Sequence, residues 1–151
     1  MIKSLYLAHP LVMRKEIREW ELGFEERTGI QLDNPFYDKG PNDPEAEEIK
    51  LIDTGRIIPN TMNNPKKCLA IVEYDLRAIE QTDVIVAFIE KGKESMGTPM
   101  EVFYSSRVLQ HPTYIITKTM PGHPWIRGLA TKLFEDTEQF EEYLKNGRWG
   151  R

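Results

Sequence analysis

The segment Asp83-Val84-Ile85-Val86-Ala87-Phe88-Ile89 constrains this chain more than any other. It is a near-continuous, largely β-branched apolar run of strand length, which suits a strand buried on both faces. Such a strand needs helices above and below it, and that requirement points to a parallel sheet built from strand–helix–strand units. The flanking segments agree. Leu5-Tyr6-Leu7-Ala8 reads as a short buried strand stopped by Pro10. Met13, Ile17, Trp20 and Phe24 then recur at helical spacing, with Gly29 as the stop signal. Leu69, Val72, Leu76 and Ile79 mark a helix over residues 66–80, and residues 99 to about 109 form another. Thr113-Tyr114-Ile115-Ile116-Thr117 gives the next strand, residues 123–132 a short helix, Leu133-Phe134 an edge strand, and residues 137–146 a last helix closed by Gly147.

Strands alternate with helices and no hairpin signal separates them. The expectation is an α/β fold: a doubly wound, mostly parallel five-stranded sheet with helices on both faces, in a flavodoxin-like or Rossmann-like arrangement. Ligands bind such sheets at the carboxyl ends of the strands, near the switch point. The chain of 151 residues is read as a single domain. Residues 33–65 stand apart as an irregular, insertion-like stretch holding Pro35, Pro41, Pro44, Pro59 and Pro65. Residues 45–52 within it suit a short helix, and Glu45, Glu47 and Glu48 there form either a solvated face or part of an active-site lid.

Composition excludes several functions. The 20 Lys and Arg are mixed among 24 Asp and Glu, for a net charge of −4, so the basic stripe that polynucleotide binding demands is missing. One cysteine, Cys68, and three scattered histidines, His9, His111 and His123, offer no zinc-ligand spacing and no internal disulfide. The apolar start is too short for a signal segment, and no run reaches membrane-spanning length. A reducing, cytoplasmic address follows as the expectation, with no membrane partner.

The chemistry concentrates in Ser95-Met96-Gly97-Thr98-Pro99-Met100-Glu101, a Gly-containing turn feeding a helix. One reading is a capping box, with Thr98 as N-cap, Pro99 at the first helical position and Glu101 reaching back. The other is a carboxylate kept ionised in the first helical turn at a strand's carboxyl end, acting as nucleophile or base, while the turn's N–H groups bind an anion or a sugar hydroxyl. Asp75 is a second candidate: it lies beside Cys68, Val72 and Ile79 on the margin of the apolar stripe, as either a surface residue or a pocket acid. Tyr6 sits within the first strand, where a core role is the commoner one.

In their order along the chain, Tyr6-Leu7-Ala8-His9-Pro10, Tyr74-Asp75-Leu76-Arg77-Ala78-Ile79, Thr82-Asp83-Val84-Ile85-Val86-Ala87 and Ser95-x-Gly97-Thr98-x-x-Glu101 resemble the nucleoside 2-deoxyribosyltransferase family. The resemblance covers roughly residues 2–130 and is weakest over 30–65. It implies Glu101 as nucleophile, Tyr6 orienting it through its hydroxyl, and Asp75 meeting the nucleobase. Ala8, His9, Pro10, Ser95, Gly97, Thr98 and His123 are then the substrate-binding residues, and no cofactor or metal is called for. Ser95 stands where members acting on free nucleosides often carry Asp, and it resembles the branch that hydrolyses 2′-deoxynucleoside 5′-monophosphates, as does Ile126-Arg127-Gly128. That branch's phosphate loop after the first strand is replaced here by His9-Pro10-Leu11-Val12, which is similar to the transferase loop. His123 aligns with a residue that, in relatives, reaches from a neighbouring subunit to the 5′ end of the sugar. The resemblance thus implies a homo-oligomer with sites completed across subunits, Trp125 and Trp149 being interface candidates. A non-catalytic nucleotide-sensing module on the same scaffold is the reading from another class.

Overall fold

The computed structural model describes residues 4–38, 65–93 and 95–147. Most of the 33–65 stretch, including residues 45–52, and Trp149 lie outside the described residues. Five strands form one sheet: β1 (Ser4–Ala8), β2 (Gln31–Asp33), β3 (Val84–Phe88), β4 (Thr113–Ile116) and β5 (Lys132–Phe134). Their order is β2-β1-β3-β4-β5, and every pairing is parallel. The helices are α1 (Arg14–Thr28), α2 (Pro65–Gln81), α3 (Gly97–Phe103), α4 (Pro124–Leu129) and α5 (Thr137–Lys145).

The period-2 alternation of the strands divides the core into two layers. Leu5, Leu7, Val84, Val86, Phe88, Tyr114 and Ile116 pack against Ile17 and Phe24 of α1 and Phe140 and Leu144 of α5. On the other face Tyr6, Ala8, Ile85, Ala87 and Ile115 meet Ala78 and Ile79 of α2, Val102 of α3 and Ile126 of α4. All five residues of β3 are buried, as its unbroken apolar run requires. The chain leaves β1 toward β2 and returns to β3 on the other side of β1, so the switch point lies between β1 and β3.

Several elements differ from the sequence reading. The fifth strand of the expected sheet is β2, to which the sequence reading assigns no residues; only Leu32 of its three residues is buried, too short a pattern to read as a strand. In α2 the apolar stripe is buried only toward its end, at Ala78 and Ile79, while Leu69 and Val72 are exposed. The helix expected over residues 99–109 begins at Gly97 and passes at Tyr104 into a π-helical turn, Tyr104–Leu109, closed by Gln110 at φ +57°. Such turns are rare and concentrate near functional sites. Gly29 and Gly147 do stop their helices with left-handed φ. No helix among the described residues is long and apolar enough to cross a membrane.

Candidate active site

β1 carries Tyr6 to the α2/α3 face of the sheet, and the loop after β3 delivers α3 to the same face. There the Tyr6 hydroxyl donates a buried hydrogen bond to Glu101 Oε1 at 3.0 Å. Ninety-five residues apart in sequence, the two side chains meet beside the switch point, where open parallel sheets bind ligands. Tyr6 is fully buried and Glu101 nearly so.

The capping-box reading of this turn is corrected. Thr98 lies inside α3, whose N-cap position is Met96, and Ser95 just before it accepts the Thr98 N–H and the Thr98 hydroxyl on its own hydroxyl oxygen, both at 3.3 Å. Ser95 only accepts in these two bonds, which do not use its own hydroxyl proton. Gly97 lies alongside the carboxylate: a Cβ there would sit 3.9 Å from Glu101 Oε1, an ordinary contact, so the position tolerates a small side chain.

Asp75 is half-buried on α2, with one carboxylate oxygen shut off from solvent. It stands three and four residues before the buried Ala78 and Ile79, so it faces the sheet side of α2, the face of the sheet that carries Tyr6. Ala8 is buried on that face as well.

His9 is turned elsewhere. Its Nδ1 lies 3.0 Å from the Pro10 carbonyl and its Nε2 3.1 Å from Asn34 Oδ1, and its ring packs on Phe36. The Pro10 carbonyl also accepts the Met13 N–H at 3.0 Å, so both the His9 ring and this carbonyl are engaged within the protein. Asn34 Nδ2 in turn donates to Glu21 Oε2 at 2.8 Å, and Arg18 Nη1 donates to Glu21 Oε1 at 2.9 Å. Burial pushes the His9 imidazole below its ordinary value, against the two hydrogen bonds that raise it. Burial pushes the Glu21 carboxyl up, opposed by its bonds from Asn34 and Arg18. Sequence reasoning missed Glu21 and Asn34. A signal existed, since Glu21 falls between Ile17 and Phe24 on the buried stripe of α1.

His123 is exposed at the start of α4 and lines a cavity of about 510 Å³ between α3 and α4, with Pro99, Met100, Phe103, Trp125 and Ile126. The walls of that cavity are nearly all apolar, and Tyr6, Asp75 and Glu101 do not line it. Ser95, His9 and His123 thus have three separate surroundings. Among the described residues no group of His, Cys, Asp or Glu side chains is arranged to hold a metal ion.

The fold has solved counterparts. A 2-deoxyribosyltransferase from Bacillus psychrosaccharolyticus superposes with a TM-score of 0.66 at 18% identity, over 93% of this chain and 91% of that one. A CMP N-glycosidase from Clostridium botulinum superposes at 0.55 and 18% identity, over 96% and 99%. The chain shares their fold. A conserved protein from Enterococcus faecalis V583 has it too, at 0.64 and 14% identity over 97% and 99%. No protein-family model and no curated protein matches the sequence.

Proposed function

We propose that this chain is a cytoplasmic enzyme that cleaves the N-glycosidic bond of 2′-deoxynucleosides and transfers the deoxyribosyl group to another nucleobase. The observation that carries this reading is the buried hydrogen bond between Tyr6 and Glu101 beside the switch point. A carboxylate oriented this way suits attack on C1′ from the face opposite the base. The C1′–N bond breaks as the bond from C1′ to a Glu101 oxygen forms, through an oxocarbenium-like transition state. The departing base takes the bonding electrons, and Asp75 assists it by donating a proton or a hydrogen bond to a ring nitrogen. The ring nitrogen of a second base then attacks C1′ from the vacated face as the bond from C1′ to Glu101 breaks, its N–H proton passing to the Asp75 carboxylate left by the first half-reaction, with net retention.

The second reading is hydrolysis of 2′-deoxynucleoside 5′-monophosphates, with water as the acceptor. The likeness to a CMP N-glycosidase and the presence of Ser95 favour it. Against it, the phosphate loop of that branch is replaced by His9-Pro10-Leu11-Val12, and the His9 ring nitrogens are spent inside the protein. Incubation with deoxyinosine plus adenine, and separately with dGMP or dCMP, followed by chromatography, separates the two. Deoxyadenosine supports transfer, free base with deoxyribose 5-phosphate supports hydrolysis, and binding without turnover across all bases supports the sensing module.

We also propose that the working form is a homo-oligomer in which a second copy covers the α3/α4 cavity. Met100, Phe103 and Trp125, all exposed there, are apolar groups that a partner would bury. His123 on the same wall is then placed to act at the partner's boundary.

A further inference from the structure

Strands β3 and β4 leave the sheet side by side, the Ile89 N–H donating to the Ile116 carbonyl at 3.2 Å. One residue further on, the half-buried Glu90 carboxylate reaches across to the loop after β4, and the proposed chemistry does not use it. Its Oε1 accepts the Lys118 N–H at 2.7 Å, and its Oε2 accepts the Thr119 N–H at 3.0 Å together with the Thr119 hydroxyl. The Thr119 hydroxyl oxygen in turn accepts the Lys91 N–H at 2.8 Å. Successive backbone N–H groups aimed at one point form a nest for an anion, and here the chain's own side chain fills it. Bonds that a carboxylate accepts from N–H groups are also the stronger kind.

The two sides of this contact do not depend on it equally. The backbone around Glu90 is held without it, by the Ile89 bond to β4 and by the Lys93 N–H, which donates to the Glu90 carbonyl at 3.2 Å. The loop after β4 has less: among the described residues the Lys118 and Thr119 N–H groups both go to Glu90. From there the loop turns into α4, the Met120 N–H donating to the Thr117 hydroxyl at 3.1 Å and the His123 N–H to the Met120 carbonyl at 3.2 Å. Met120, His123 and Trp125 form the α4 wall of the cavity of about 510 Å³, facing Pro99, Met100 and Phe103 of α3. Ile126 anchors α4 in the core, but the residues before it are tethered by the loop. We infer that Glu90 is a positioning residue: it clamps the loop after β4 to the end of β3, and so holds the His123 wall of the cavity in place against α3, the helix that carries Glu101.

The kinetic consequence rests on the deoxyribosyl-transfer reading; the clamp does not. Amide hydrogen exchange of the full chain, followed by NMR, should show Lys118 and Thr119 protected at least about tenfold over an unstructured peptide. Glu90→Ala should abolish that protection and speed exchange at His123 too, with the circular dichroism of the wild type. Glu90→Gln keeps one acceptor oxygen and should fall between the two; it also carries the test if Glu90→Ala does not fold. Tyr6 holds Glu101 from β1, independently of this loop. In Glu90→Ala, KM for the donor deoxynucleoside should therefore rise about five- to tenfold with kcat within about twofold, the split expected when binding and not chemistry is lost, and Glu90→Gln should recover part of it. The inference is overturned by unchanged exchange at Lys118 and Thr119 in the variants, or by faster exchange confined to those two amides with His123 unaffected. In a chain that turns nucleosides over, an unchanged KM or a loss in kcat alone overturns it as well. A wild type that turns over no nucleoside overturns the transfer reading instead, and exchange at His123 then decides the clamp by itself.

Discussion

A tyrosine hydroxyl pointed at a buried carboxylate is inexpensive to remove and informative when removed. Tyr6→Phe fills the same space in the core and deletes the hydroxyl that donates to Glu101. A hydrogen bond to a charged group is worth about 1.5–3 kcal/mol. If Glu101 is the nucleophile, kcat/KM should fall about 10- to 100-fold, with a drop in melting temperature of about 3–12 °C and the circular dichroism of a folded chain; unaltered kinetics would remove Tyr6 from the site. Glu101→Gln should cost at least about a thousandfold in turnover while circular dichroism stays that of the wild type. A variant that retained most of its turnover would exclude the glycosyl-enzyme. Both residues were visible in the sequence, but as members of separate segments. Tyr6 looked like core, and it is core. That it also holds a carboxylate depends on a contact across 95 positions. Glu21 was overlooked for the converse reason: on a helix so rich in charge, one more Glu looks solvated until its neighbours on the wheel, Ile17 and Phe24, are seen to be buried.

Helix stops and starts show how far local chemistry reaches. Gly29 sits at φ +69° with nothing within 4 Å of where a Cβ would stand, so its glycine is required by conformation and not by space. Gly29→Ala should therefore cost about 1 kcal/mol, a drop in melting temperature of about 2–4 °C, with Gly29→Asn costing less. Equal melting temperatures for all three would refute this. The start of α3 was less legible, because Ser95 and Thr98 are both good caps and only the folded turn shows that Ser95 accepts from Thr98. Across the α1/α5 layer, Glu141 accepts from Trp20 at 3.0 Å and from Arg27 Nη2 at 2.6 Å. Those bonds, the Arg27 one first, hold its carboxyl below the ordinary value. A lowered acid stabilises the fold above its unfolded-state value, and that contribution disappears as pH falls through the folded value. The wild type should thus melt above Glu141→Gln at neutral pH, with the gap closing below about pH 4. A gap independent of pH would mean that packing, not charge, joins the two helices.

At the scale of the whole molecule, the exposed wall of Met100, Phe103 and Trp125 is the feature a lone chain would not be expected to leave open. Trp125→Glu should shift sedimentation toward the monomer and, where the partner completes the site, lower activity steeply with protein dilution; a wild type that is monomeric at all concentrations would refute this. The sequence by itself determined the class of fold. Buried-strand runs and helical stripes are local patterns set by solvent, and they can be read without knowing what packs on what. It also named the two segments from which Tyr6 and Glu101 come. Only the tertiary structure decided that these two side chains touch, that the Thr98 N–H is taken by Ser95, that β2 completes the sheet, and that the His9 ring turns toward Asn34. Each of these depends on which donors and acceptors the folded chain leaves within reach of one another, a property of long-range contacts that no local pattern carries.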